Sequence, residues 1–141
     1  MAWLLDTNVL SELRRPRPNQ NVLDFFARRP VDSFYISVVS LAEIGFGIES
    51  VSDSAKQALL TVWLDREIRP MFAGRILAVD EEILLRWRLL VEDGRRVGHT
   101  FSQPDLLIAA TALCHGLIVA TRDKVDFMKT GANLVNPWEP I

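Results

Sequence analysis

Short, wholly apolar runs alternate along this chain with longer stretches in which apolar residues recur every three to four positions. Residues 2–5 read as a brief buried strand, and Asp6-Thr7-Asn8 supplies side chains suited to starting a helix through Val9, Leu10 and Leu13. Pro16 and Pro18 stop that helix. The spacing predicts a second helix over 22–29, with Val22, Phe25 and Phe26 on one face and Pro30 at its end. Aromatic and β-branched residues predict a strand over 34–39.

Helices are expected over 40–49, carrying Gly45 and Gly47, and over 55–72, where Leu59, Leu60, Trp63 and Leu64 repeat at helical spacing. Gly74 breaks the second before a strand at 76–79, and Asp80 then caps a helix carrying Ile83, Leu84, Trp87, Leu90 and Val91. Residues 94–103 are polar and glycine-containing and read as a loop. Pro104 opens a helix that is apolar nearly all round to Leu113, so it is expected to be central. Gly116 ends it, and strands follow at 117–121 and 133–135.

Strands alternating with helices predict an α/β fold with a central, mainly parallel sheet, organised as one domain over 1–141. In such sheets the functional crevice lies beyond the carboxyl ends of the strands. That edge is where Asp6, Glu43 and Asp123 fall. Asp6 closes Trp3-Leu4-Leu5, Glu43 follows the 34–40 run, Asp105 opens Leu106-Leu107-Ile108-Ala109-Ala110, and Asp123 comes just after Leu117-Ile118-Val119-Ala120-Thr121.

Carboxylates gathered without a basic partner repel one another and are costly to bury, and a divalent cation removes that cost. Asp6, Glu43, Asp105 and Asp123 are therefore candidate metal ligands and catalytic residues, with Asp126 as a possible accessory. Oxygen-only donors select Mg²⁺, or Mn²⁺ in its place, over Zn²⁺. Such a site suits phosphodiester hydrolysis by metal-activated water, leaving a 5′-phosphate and a 3′-hydroxyl. Thr7 and Thr121 offer hydroxyl contacts, Asn8 can orient a ligand, and Arg122 can meet a phosphate.

Each acid also has a structural explanation. Asp6 can cap a helix, Ser40-Leu41-Ala42-Glu43 has the spacing of a capping box, Asp105 complements a helix dipole, and Asp123 fits a turn. Separate caps give no reason for acids to collect at strand ends, which favours the site; Asp80 is set aside as structural. His115, at a helix end, reads as a favourable charge near the dipole, and His99 lies in the polar loop without an assigned role.

Composition narrows the classes. Hydrophobic residues form 49% of the chain, which argues against disorder, and a net charge of −2 argues against nucleic-acid binding by bulk charge alone. Arg pairs such as Arg14-Arg15, Arg28-Arg29 and Arg95-Arg96 keep a nuclease open, although each also suits a solvated helix face. The single Cys114 excludes an intrachain disulfide and points to a reducing compartment. There is no basic-apolar leader and no run near the ~18 apolar residues of a membrane span. The expectation is a soluble, cytoplasmic protein.

The motifs Leu5-Asp6-Thr7-Asn8-Val9-Leu10-Ser11-Glu12, the helix start at Glu43, Pro104-Asp105-Leu106-Leu107-Ile108-Ala109-Ala110 and Val119-Ala120-Thr121-Arg122-Asp123 resemble, in that order, those of PIN domains. Phe72-Ala73-Gly74-Arg75-Ile76-Leu77 and the ending Asn136-Pro137-Trp138 are similar to the VapC and FitB branch of bacterial toxins. The resemblance runs almost end to end. It implies a PIN-like three-layer α/β/α fold and a Mg²⁺- or Mn²⁺-dependent ribonuclease toxin, with metal-site residues at Asp6, Glu43, Asp105 and Asp123. It further implies a VapB-like or FitA-like antitoxin, operator DNA reached only through that antitoxin, and a homodimer, with which apolar surface around Gly45, Trp63 and Trp87 is compatible.

Two rivals stand beside it. A haloacid-dehalogenase-like phosphatase requires a second Asp two residues after the first, where this chain has Asn8, and a receiver domain requires an adjacent acidic pair and a late-strand Lys that are absent. A non-catalytic binding module that pairs with an antitoxin, its acids serving only as caps, is the other; metal binding and RNA cleavage separate it from the enzyme.

Overall fold

A computed structural model describes residues 1–140. Its centre is a five-stranded sheet ordered β3-β2-β1-β4-β5, formed by β1 (Trp3–Leu5), β2 (Phe34–Ser37), β3 (Ile76–Leu77), β4 (Ile118–Ala120) and β5 (Leu134–Val135). Every pairing is parallel. The helices are α1 (Thr7–Leu13), α2 (Gln20–Ala27), α3 (Val38–Glu49), α4 (Ser54–Trp63), α5 (Arg69–Met71), α6 (Glu81–Arg96), α7 (Gln103–His115) and α8 (Lys124–Phe127). None is long and apolar enough to cross a membrane.

β1 is apolar throughout because helices cover both faces of the sheet. Side chains alternate across a strand, so Trp3 and Leu5 join Val9, Phe25, Phe34, Ile36 and Phe72 on one face. Leu4 enters the other core, with Ile83, Leu106, Ile108, Val119 and Phe127. This is the expected three-layer arrangement. The chain runs outward from β1 to β3, then returns to place β4 on the free side of β1, so the order reverses between β1 and β4. Connections leaving these two strands diverge and open a crevice at their carboxyl ends.

The second strand is shorter than the expected 34–39 because Ser37, its last residue, also caps α3, its Oγ accepting from the Val39 N–H at 3.0 Å. Strands at 76–79 and 117–121 shrink likewise to 76–77 and 118–120. The helix expected over 55–72 is built as α4, a widened π-type turn over Leu64–Ile68, and α5. Pro70, which has no N–H to donate, lies just beyond the widened turn.

The loop expected over 94–103 is corrected: α6 continues through Gly94 to Arg96. Gly94 is there for packing, not for breaking the helix. A Cβ on it would lie 2.8 Å from both the His99 carbonyl oxygen and the Phe101 ring. Gly116, with φ +65, ends α7 as expected. Trp63 and Trp87 themselves are partly buried against the two cores, and the exposed apolar side chains near them and near Gly45 include Phe46, Leu59, Leu85 and Leu89.

Candidate active site

A cleft of about 520 Å³ opens at the carboxyl edge of the sheet, with Asp6, Thr7, Asn8, Glu43, Asp105, Arg122 and Asp123 in its lining. Four elements far apart in sequence bring the carboxylates there. Asp6 ends β1, its backbone N–H donating to the Ala120 carbonyl at 2.9 Å, which ties it to β4. Glu43 comes from α3, Asp105 from the first turn of α7, and Asp123 from the turn that starts α8.

Asp6 is 4% exposed, and both of its oxygens are engaged. Oδ1 accepts from the Thr7 N–H at 2.8 Å, and Oδ2 accepts from the Thr121 hydroxyl at 2.7 Å. Thr121 Oγ1 in turn accepts the Asp123 N–H at 3.0 Å, so one buried hydroxyl orders two acids. The Thr7 hydroxyl donates to Glu43 Oε1 at 2.9 Å, and Asn8 Nδ2 donates to Asp123 Oδ2 at 3.0 Å. Thr7, Asn8 and Thr121 thus hold the acids through uncharged groups, while Arg122 contacts none of them.

The structural explanations divide. Asp6 does cap α1 and also faces the cleft, so the two roles coexist. The capping-box reading of Ser40 and Glu43 is overturned. Ser37 is the cap, while Ser40 lies inside α3 with its buried Oγ lacking a hydrogen-bond partner. Asp123 makes no capping bond; its carboxylate takes Asn8. Asp80 is structural, its Oδ1 accepting the Ile83 N–H at 2.9 Å. His99 packs edge-on against Phe101 around a different cavity, away from the carboxylates.

The electrostatics report the crowding. Burial pushes the Asp6 carboxyl above its ordinary range, opposed by the hydrogen bonds from Thr121 and Thr7, and the charges of Glu43 and Asp123 add to the rise. Asp105 is pushed up to about 6, first by burial and then by the charges of Asp6, Asp126, Glu43 and Asp123. Asp126 is exposed and acts on the site through this field, outside the cleft lining. Asp6, Glu43, Asp105 and Asp123 form no ion pair with a basic side chain among the described residues.

Hard oxygen donors gathered in one cleft without a basic partner fit a divalent cation. Among the described residues no three acids already stand together as a closed ligand set. Glu43 and Asp123 are turned toward Thr7 and Asn8 instead, and each is held there by a single neutral side-chain donor.

The profile of the PIN domain family matches residues 3–132. This chain belongs to that family. The PIN domain is 34% identical over 137 residues to the VapC ribonuclease Y4jK of Sinorhizobium fredii, covering 97% of this chain and 98% of that one. It is 36% identical over 135 residues to toxin FitB of Neisseria gonorrhoeae, covering 96% and 97%. A chain in the crystal structure of FitAcB from Neisseria gonorrhoeae superposes on it with a TM-score of 0.90 at 36% identity, covering 97% of this chain and 99% of that chain. The likeness to VapC and FitB seen in the motifs holds over the whole PIN domain.

The cleft of this PIN domain also contains residues that the sequence reading left without a role. Ser11 and Glu12 line it from α1, Arg14 and Arg15 from the turn that follows, and Trp138 from beyond β5. Glu12 is 5% exposed and accepts the Asn19 N–H at 2.8 Å, bracing the turn after α1. A signal for Ser11 was present: it follows Thr7 by one helical turn and so shares its face. Trp138 carried no such signal.

Proposed function

We propose that this PIN domain is the toxin of a toxin–antitoxin pair and a metal-dependent endoribonuclease. The observation that carries the reading is the convergence of Asp6, Glu43, Asp105 and Asp123 from four separate elements on one cleft, without a basic partner. Likeness to a VapC ribonuclease and to toxin FitB supports it. Under this reading the four acids hold Mg²⁺, with Mn²⁺ as a substitute. When bound, the ion would supply a water acidic enough to attack at neutral pH and positive charge to offset that gathering on the phosphoryl oxygens.

The chain's own residues do the rest. Thr121 holds Asp6 and Asp123 in register, Thr7 holds Glu43, and Asn8 holds Asp123. Loss of these contacts would loosen the constellation by the fraction of an ångström that a preorganised site does not tolerate.

The partner under this reading is a small VapB-like or FitA-like antitoxin, with operator DNA contacted through it. A second cavity of about 250 Å³ shares Thr7, Ser11, Arg14 and Glu43 with the cleft and has an apolar wall of Ile44, Ile48, Leu60 and Trp63. An amphipathic antitoxin segment filling it could place an Arg or Lys among the carboxylates, replacing the cation's charge and blocking substrate. A homodimer is part of the same proposal, supported by the bare apolar side chains Phe46, Leu59, Leu85 and Leu89.

The test is to incubate purified, antitoxin-free protein with tRNA and rRNA fragments in Mg²⁺, Mn²⁺ or chelator, with Asp6→Asn as control. Cleavage restricted to the metal-containing, unsubstituted samples is expected. Cleavage that persists in chelator and in the variant overturns the metal mechanism. Intact RNA throughout favours the non-catalytic module.

A further inference from the structure

The cleft has two chemically different sides. Its floor is acidic, while Arg122 and Trp138 stand together on its lining, the Arg122 guanidinium carbon 5.2 Å from the centre of the indole ring. Three ties fix Trp138. Asn21 Nδ2 donates to its carbonyl at 2.7 Å, its own N–H donates to Asn136 Oδ1 at 2.9 Å, and the neighbouring Glu139 pairs with Lys124 at 3.7 Å. The ring itself is half-buried, packed against the core beneath it and open to the cleft.

Arg122 is also placed with respect to the acids. Its N–H meets Asn8 Oδ1 at 3.5 Å, and the same Asn8 amide holds Asp123. Yet its exposed guanidinium pairs with no carboxylate among the described residues, although Asp123 is its chain neighbour. It lies over the indole instead. A cation held beside an acidic site but kept out of it is free to meet an incoming anion.

We infer that Trp138 and Arg122 form the subsite for the nucleotide flanking the scissile phosphate, the base stacking on the indole and its backbone phosphate meeting the guanidinium. The inference rests on the ribonuclease reading and names the form of its substrate. A base can stack on Trp138 only when unpaired, so the RNA is single-stranded there. Stacking is tolerant of base identity because every base has a π-face, whereas the phosphate contact is charge-dependent. Shielding of the indole by the Arg122 side chain would account for the contact without any substrate role, and the experiment must separate the two.

Fluorescein-labelled eight-nucleotide oligoadenylate and oligouridylate, intact or carrying one abasic site at each position in turn, serve as probes. Binding is followed by anisotropy in the Asp6→Asn background with Mg²⁺, and cleavage of the same oligonucleotides is followed in the otherwise unchanged protein. An abasic site at one position beside the cut bond is expected to weaken binding about ten-fold. Trp138→Ala should weaken binding of intact RNA by a similar factor and erase the sensitivity to that position, Trp138→Phe should keep most of both, and the loss should appear in KM more than in kcat. Arg122→Gln should lower the slope of log affinity against log salt by about one.

Equal weakening of intact and abasic RNA by Trp138→Ala, or no weakening, overturns the subsite. Should Trp138→Ala fail to fold by circular dichroism, the abasic series on the unsubstituted indole and the salt slope of Arg122→Gln decide instead, a flat series and an unchanged slope overturning it. If the otherwise unchanged protein neither binds nor cuts any RNA, the ribonuclease reading itself falls, an outcome distinct from failure of the subsite alone.

Discussion

Neutralising one acid of the cleft should stabilise the metal-free protein, and Asp105→Asn shows why. Burial and the charges of Asp6, Asp126, Glu43 and Asp123 raise its carboxyl from 3.8 to about 6. That displacement corresponds to at most about 3 kcal/mol of penalty on the ionised form. The side chain is only half-buried, and solvent screening reduces the figure to about 1–2 kcal/mol.

The sign follows from proton linkage. A carboxyl raised on folding binds its proton more tightly in the native state, so stability falls as pH rises from about 4 to about 6, and the full penalty is present above that range. Asp105→Asn removes the ionisation. For a domain of this size the melting temperature at pH 8 should rise by about 3–8 °C, and the advantage should shrink toward zero near pH 4. Differential scanning calorimetry in chelator, with matched ionic strength, measures both. Added Mg²⁺ should raise the melting temperature of the unsubstituted protein and leave the variant nearly unmoved. An advantage of equal size at pH 4 and pH 8, or a destabilised variant at pH 8, would refute the repulsion argument.

Three further substitutions probe the scaffold. Ser40→Ala should be neutral or stabilising by about 1 kcal/mol in urea denaturation, because it deletes a buried hydroxyl without a partner; a loss of about 1 kcal/mol would restore the capping-box reading. Thr121→Val removes the hydroxyl shared by Asp6 and Asp123, and should lower stability by about 1–3 kcal/mol and RNA cleavage with it; full cleavage would show that the acids need no such ordering. Gly94→Ala gains about 1 kcal/mol of helix propensity but meets backbone and ring atoms at 2.8 Å, so a net loss of about 1 kcal/mol or more is expected by thermal melting.

Much of this was legible in one dimension because the forces involved are local or periodic. Trp3-Leu4-Leu5 had to be a doubly covered strand, since all three of its side chains are apolar and alternate faces. Asp6, Asp80, Pro104 and Gly116 mark helix ends through bonds or dihedral limits that act within a few residues. Asp6, Glu43 and Asp123 could be grouped because a parallel sheet delivers strand ends to one edge, and Asp105 joined them as a further acid at a helix start. Where the reading failed, the deciding contact was distant. Gly94 reads as a breaker until Phe101 is seen to occupy the space its side chain would take. Ser40-x-x-Glu43 has capping-box spacing, yet Ser37 takes the cap and Glu43 turns to Thr7, 36 residues away in sequence.

The amino-acid sequence by itself determined the alternation of strands and helices, the oxygen-only chemistry of the acids and the edge of the sheet to which they belong. Tertiary structure alone decided which hydroxyl orders the acids and that Asp126 acts from outside their cleft. It alone brought Trp138 over Arg122 and both beside the carboxylates. Periodicity and capping are written over intervals of two to four residues, whereas the meeting of Asp6 with Thr121 spans 115. No local pattern encodes that meeting; it follows from the return of the chain to the free side of β1.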